Sequence, residues 1–317
     1  MDIQYLLWLQ SFRNSTNNAM TPFLEWISMF AIDYLILIVV FYYWNRDKKG
    51  GLYALVSYYF CMLFTPLIKL TACIYRPWIR DSRILPAGDS IRTATGYSFP
   101  SGHTGTAVPL AGGMAVNTWK SKNTKPLSVI FILFIPLLMF SRNYLGVHTP
   151  QDVLVGCAIS FLSLFLTAKL FQYLDKYPEK ENLFLAIGFV LCCLGIVYIT
   201  LKSYPMDYDS AGNLIVDPQK MMNDGYGDIG KTMGFIIARF VEKTWIRFEP
   251  YKNGTKGAVI CLVCLIPMVL MKEYFRPVLV DAFGSHWGKL FFSVLYAFYY
   301  IAFIPFILKL IRKQEAE

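Results

Sequence analysis

Two of the three histidines in this chain sit among residue types that suit the handling of an anion. His148 is followed by Thr149-Pro150-Gln151-Asp152. Thr is a good helix N-cap, Pro suits the first helical position, and an acidic residue at the third makes a start resembling a capping box. His148 then stands at a helix entry with a carboxylate four residues on. Asp152 can accept from one imidazole nitrogen and leave the other free to attack. The second histidine lies in Pro100-Ser101-Gly102-His103. Ser101 is a good N-cap, and the start of a helix offers free N–H groups and a favourable dipole to an anion. Gly102 lets such an anion approach the backbone closely, and His103 falls in the first turn beside it. Lys69, Arg76 and Arg142 lie near the ends of apolar runs, where a cation is costly without an anionic partner. The alternatives are plain: caps for Ser101 and Asp152, an interfacial hydrogen bond for His103, snorkelling for the cations. Counted together, the eight residues make a phosphate cradle with an acid and a nucleophile.

The elements that must position them are membrane helices. Hydrophobic residues make up 56% of the 317, charged residues only 16%, and the long apolar runs predict an all-α integral membrane protein. The N-terminus has no basic region or small-residue cleavage site of the signal-peptide kind. About nine spans are expected: residues 26–44, 51–75, 101–119, 127–144, 150–170, 183–201, 232–245, 258–271 and 290–311. Roughly 45 mostly apolar residues separate His103 from His148, enough for one helix out and one back, so both reach the same side. Span three is rich in small residues such as Gly105, Gly112 and Gly113, which allow close helix packing. Asp33 lies inside span one and is expected to face protein or water. Residues 3–13 predict an interfacial helix with Tyr5, Trp8, Leu9 and Phe12 on one face.

Loop charge predicts the orientation. Arg46/Lys48/Lys49, Lys120/Lys122/Lys125 and Lys169/Lys176/Lys180 follow spans one, three and five and read as cytoplasmic. The N-terminus then lies outside and the C-terminus in the cytoplasm, with the histidine-bearing loops extracytoplasmic. The net charge of +9 is explained by these loops, and no nucleic-acid partner is expected. The seven cysteines fall within apolar runs and are odd in number, a poor disulfide framework. Residues 202–231 are polar, carry five aspartates and predict an extracytoplasmic loop over the site entrance. Asp207 to Asn213 faintly resembles a calcium loop but lacks an acidic residue at Ala211 and has Pro218 where a closing Glu belongs. No cluster has metal-ligand spacing, and neither metal nor cofactor is expected.

Lys69-x6-Arg76-Pro77, Pro100-Ser101-Gly102-His103 and Ser141-Arg142-x5-His148-x3-Asp152 resemble the three signature motifs of the type 2 phosphatidic acid phosphatase superfamily. That superfamily includes lipid phosphate phosphatases, sphingosine-phosphate phosphatases and glucose-6-phosphatase. The match is complete in order and spacing and covers roughly residues 51–170. The resemblance implies that His148 is the nucleophile, oriented by Asp152, and that His103 protonates the leaving oxygen and then activates water. It implies that Lys69, Arg76, Ser101, Gly102 and Arg142 hold the phosphoryl oxygens. Spacing alone chooses less firmly which histidine attacks. The implied fold is a six-helix phosphatase core within residues 1–201, followed by the loop 202–231 and three more helices up to residue 317. The implied function is metal-independent hydrolysis of a lipid phosphate or diphosphate at the extracytoplasmic face, of the plasma membrane or the lumenal side of an internal one. A sugar phosphatase or a phosphotransferase is the alternative. A non-enzymatic anionic-lipid transporter fits less well, since binding alone needs no acid–nucleophile pair. Residues 183–317 carry no motif that names the substrate, and nothing in the sequence sets the oligomeric state.

Overall fold

Apolar segments in lipid must satisfy their own backbone groups, and helices do so. The computed structural model describes residues 1–94, 96–252 and 254–315, and among them the one β contact is an isolated bridge between Tyr208 and Leu214. In chain order the helices are α1 (Asp2–Ser15), α2 (Thr21–Asp33), α3 (Leu35–Asn45), α4 (Lys48–Ala72), α5 (Pro77–Arg80), α6 (Gly102–Thr118), α7 (Lys125–Tyr144) and α8 (Pro150–Lys176). They continue as α9 (Glu181–Leu201), α10 (Pro218–Val241), α11 (Gly254–Val263), α12 (Ile266–Leu270), α13 (Arg276–Phe283), α14 (Ser285–Phe298) and α15 (Ile304–Gln314). Wide π-helical turns at Met271–Phe275 and Tyr299–Phe303 join α12 to α13 and α14 to α15.

Among the described residues, six segments are long and apolar enough to cross a membrane: Lys48–Arg80, Lys125–Tyr144, Pro150–Lys176, Pro178–Leu201, Gly254–Phe283 and Ser285–Gln314. Helices α2 and α3, bent by 43° at Tyr34, make a seventh if they are one span. Two of the nine expected spans fall outside that test. Helix α6 has only 17 residues, and α10 carries Asp224, Asp228, Lys231 and Arg239.

Helix α6 sits in the middle, and small residues put it there. A Cβ on Gly113 would stand 2.6 Å from Ala54 Cα of α4, and one on Gly112 2.7 Å from Leu164 of α8. At Gly113 the two backbones approach too closely for a side chain to fit between them, and at Gly112 the Leu164 side chain fills the space a Cβ would take.

The expected loop 202–231 is half helix. Asp217 accepts hydrogen bonds from the N–H groups of Gln219 (2.9 Å) and Lys220 (3.4 Å), Pro218 takes the first position, and α10 runs from there, fourteen residues before the expected span. The polarity that resembled a loop belongs to one face of α10. The other face buries Met221, Met222, Gly225, Tyr226 and Ile229. Further along, Gly230 and Gly234 let α10 press against the backbone of α14 at Leu290 and Val294.

Helix α1 forms where an interfacial helix is expected, and only part of its apolar face packs on the protein. Leu6, Leu9 and Arg13 are buried, whereas Trp8 and Phe12 are exposed. Polar clamps set this rotation: Arg13 donates to the carbonyls of Tyr144 (3.0 Å) and Leu85 (2.6 Å), and Gln10 accepts from the N–H of Leu85 at 2.7 Å. Asp33, at the α2–α3 break, lies 3.2 Å from Lys272 Nζ, so its carboxylate has the protein partner its depth requires.

The bundle has two distinct ends. At one, the ion pairs Lys48–Glu242, Lys49–Asp175 and Lys243–Glu181 gather. At the other, the 73–101 connection meets the turn before α8, and the Tyr75 hydroxyl donates to Asp207 at 2.5 Å. Both histidines of the motifs lie at this second end.

Candidate active site

The start of α8 folds as its residues dictate. Thr149 and Asp152 form a reciprocal capping box, in which the Asp152 carboxylate accepts the Thr149 N–H at 2.8 Å. The same carboxylate oxygen lies 3.3 Å from His148 Nδ1 and accepts a hydrogen bond from the Ser98 hydroxyl. On the other edge of the ring, Arg76 Nη1 stands 2.9 Å from His148 Nε2 and donates to the Val147 carbonyl at 2.9 Å. A guanidinium can only donate, so the nitrogen facing it carries the lone pair and the ring proton sits on Nδ1, toward Asp152. Asn143 Nδ2 fixes the backbone by donating to the His148 carbonyl at 2.8 Å.

His148 and Asp152 are almost completely buried. Burial pushes the His148 imidazole well below its ordinary range, and Arg76, Arg142 and Lys69 push it the same way. The ring is therefore neutral near pH 7, the state in which it can act as a nucleophile.

The start of α6 is tied to that of α8, because the Ser101 N–H donates to the Asp152 carbonyl at 3.0 Å. Ser101 caps α6 and is itself buried. Next to it, a Cβ on Gly102 would meet nothing within 4 Å, so the backbone here faces open space. His103 follows, 7% exposed, and its Nε2 has no hydrogen-bond partner among the described residues.

Lys69 Nζ donates to the carbonyls of Tyr97 (3.1 Å) and Ser98 (3.3 Å), which stations it at the end of α4. Arg142 is wholly buried. Its Nη1 donates to the Ser28 hydroxyl of α2, while its Nε and Nη2 have no partner among the described residues. Buried donors without acceptors are costly and rare in proteins.

A cavity of about 380 Å³ joins these groups. Lys69, Arg76, Gly102, His103 and His148 line it, whereas Ser101, Arg142 and Asp152 stand behind that lining. All eight residues singled out by spacing thus lie at one end of the bundle, around one cavity or directly behind it. Spacing did not reveal Ser98, Asn143 or Ser28. The first two lie beside the motifs, but the partner role of Ser28 depends on how α2 packs against α7. Nor did spacing reveal that α10 and α14 supply the opposite wall of the cavity.

Comparison with known proteins points the same way. The model of the PAP2 superfamily matches residues 50–176. The chain is 25% identical over 213 residues to human sphingosine-1-phosphate phosphatase 2, covering 66% of this chain and 50% of that protein. It is 27% identical over 158 residues to phosphatidylglycerophosphatase B of Bacillus subtilis, covering 48% of this chain and 73% of that protein. It is 29% identical over 134 residues to the undecaprenyl-diphosphatase of Sulfolobus acidocaldarius, covering 40% and 59%. The aligned part thus spans only half the length of the human relative. No solved structure matches the chain. The match over residues 50–176, less than half of the chain, takes in Lys69, Arg76, Ser101, Gly102, His103, Arg142, His148 and Asp152, and in that stretch the chain is similar to the PAP2 superfamily.

Proposed function

We propose that the chain is a membrane phosphatase that hydrolyses a phosphate or diphosphate monoester of a lipid through a phosphohistidine. The observation that carries this reading is the His148 ring, neutral, proton toward Asp152, with its lone-pair nitrogen and His103 opening on one cavity. His148 Nε2 attacks phosphorus, and the bond from phosphorus to the ester oxygen breaks. His103 takes up a proton once the negative charge of the bound phosphate lies beside it, and gives that proton to the departing oxygen. It then takes a proton from water, whose oxygen attacks the phosphohistidine and releases inorganic phosphate with His148 restored. Arg76 now points at Nε2, so its guanidinium transfers to a phosphoryl oxygen when substrate enters. Lys69, Arg142 and the N–H groups at Gly102 complete the cradle, and these charges stabilise the transition state without a call for metal.

The relatives' names favour a lipid substrate, and a site at one end of an apolar bundle suits a substrate whose tail stays in the bilayer. We place that end on the extracytoplasmic side of a nine-span chain with its N-terminus outside, because the lysine-rich connections gather at the opposite end. In this layout residues 1–201 hold the chemistry, and 202–317 close the cavity.

The test is phosphate release by the purified protein from a panel of lipid and sugar phosphates, with chelator present. Release from a lipid phosphate that is lost in His148→Ala is the expected result. Release from sugar phosphates alone would overturn the lipid assignment, and release that requires added metal would overturn the mechanism.

A further inference from the structure

The cavity extends beyond the histidines to a wall built from helices that carry none of the family motifs. Three ion pairs furnish it: Asp228–Lys231 within α10 (2.9 Å), Asp224 of α10 with Lys289 of α14 (2.9 Å), and Asp33 with Lys272 (3.2 Å). Each acid is matched by a lysine, and Arg276 adds one cation at the exposed rim. Tyr296 also lines this part of the cavity. Tyr296 is 5% exposed, yet its hydroxyl has no partner among the described residues. Asn223 Oδ1, from α10, is likewise buried and unpartnered, as is the Thr65 hydroxyl nearer the histidines. Lys69 stands between the two regions, within electrostatic reach of Asp152 on one side and of Asp224 and Asp228 on the other.

A volume of about 380 Å³ falls within the roughly 300–1,000 Å³ typical of whole small-molecule sites, more than a phosphate group needs. Ile32, Leu70, Met221 and Phe292 also line this cavity, but the charged and hydroxyl groups of the far wall do not suit hydrocarbon, since buried polar groups facing a chain would be left without hydrogen bonds. It does not suit a second phosphate either, because the carboxylates of Asp224, Asp228 and Asp33 would face it. It offers donors and acceptors together: the tyrosine hydroxyl and lysines on one hand, an amide oxygen and carboxylates on the other. A hydroxyl group both donates and accepts, and it matches such a wall.

We propose that this wall is a subsite for the alcohol half of the substrate, and that it selects phosphate monoesters carrying a free hydroxyl close to the phosphate. The proposal rests on the phosphatase reading above and narrows its substrate class.

Two probes decide it: a single-chain acylglycerol phosphate with its free hydroxyl, and the same molecule with that hydroxyl replaced by hydrogen. Phosphate release by the full-length purified protein, read as kcat/KM, is expected to favour the hydroxylated probe about 10-fold or more, as polar subsites do. Tyr296→Phe removes one oxygen that has no partner among the described residues, so the fold loses no hydrogen bond seen there, and the preference should shrink at least about threefold. The double variant Asp224→Asn/Lys289→Met, at a half-exposed pair, should shrink it as well. Equal kcat/KM for the two probes in the wild type would overturn the subsite while leaving the phosphatase reading intact. So would a preference that survives unchanged in both variants. Release from neither probe, nor from any other phosphate monoester, would remove the phosphatase reading and the subsite with it.

Discussion

His148 Nδ1 faces the Asp152 carboxylate across 3.3 Å, and the same carboxylate closes the capping box with the Thr149 N–H at 2.8 Å. One side chain therefore starts helix α8 and orients the imidazole, and the two duties can be separated. Asp152→Asn keeps an oxygen able to accept from Thr149 but loses the charge that stabilises a positive ring. Turnover should fall about 10²- to 10⁴-fold while the melting temperature changes little. Phosphate release and thermal unfolding of the same preparation check this, and unchanged turnover would make Asp152 a cap alone.

Arg142 is a buried cation whose one side-chain hydrogen bond among the described residues goes to the Ser28 hydroxyl. Burying a charge without an anion is costly, so the free protein should tolerate Arg142→Met or even gain stability. The variant should lose the protection that phosphate or vanadate gives the wild type, which at 100 times the Kd amounts to about 2.7 kcal/mol. Melting temperature with and without the anion separates the two effects. A large loss of stability without ligand would mean that Arg142 serves the fold instead.

The pH dependence of stability has a definite sign. His148 in the folded chain is pushed well below its ordinary value, mainly by burial. As pH drops through the unfolded value, about 6.5, the unfolded chain binds a proton that the folded one refuses. Stability present above that pH is lost below it. The melting temperature should therefore fall between pH 7.5 and pH 5, and His148→Gln should flatten the fall. An identical slope in the variant would contradict the burial of a neutral ring.

The residues that were legible in the sequence share a cause. His103, His148 and Asp152 are placed by helix starts only a few residues long, and Ser101, Thr149 and Pro150 encode those starts locally. Lys69, Arg76 and Arg142 stand out because they lie on the side where loop charge does not call for cations and where a cation at that depth needs an anionic partner. The apolar runs themselves mark the crossing helices. The start of α10 was hidden because Asp224, Asp228 and Lys231 imitate a loop, although they form the polar face of a helix around a cavity. Its other face, with Met221, Gly225 and Ile229, acquires meaning only when α4 and α9 pack on it, Leu70 and Ile199 meeting Gly225 and Ile229 meeting Gly195. The rotation of α1 was hidden too. It follows from Arg13 reaching the carbonyls of Leu85 and Tyr144, which are distant in sequence.

Orientation in the membrane can be read from two exposed connections. Asn213 lies at the end that holds the site, and Asn123 lies between α6 and α7 at the opposite end. With single cysteines in a background lacking reactive native thiols, an impermeant reagent added to intact cells should label Asn213→Cys and spare Asn123→Cys. The reverse pattern would put the site on the cytoplasmic side.

The order of the two histidines is the sharpest test of the mechanism. His148 has a carboxylate on one edge and a guanidinium on the other, which fixes its tautomer and leaves its lone pair at Nε2. His103 has no such partner: its Nε2 is buried in the first turn of α6 with no acceptor or donor among the described residues. The oriented ring is the better nucleophile and the unpaired one the better acid. His148→Ala should abolish both turnover and any covalent phosphoenzyme. His103→Ala should slow an unactivated ester by roughly 100-fold or more. It should matter much less for a nitrophenyl phosphate, whose leaving group needs no proton, and with that substrate the phosphoenzyme should accumulate, since its hydrolysis also relies on His103. Rapid quenching under conditions that preserve phosphohistidine, followed by peptide mapping, reads the outcome. A phosphoenzyme trapped in His148→Ala and absent from His103→Ala would show that the two rings have exchanged roles.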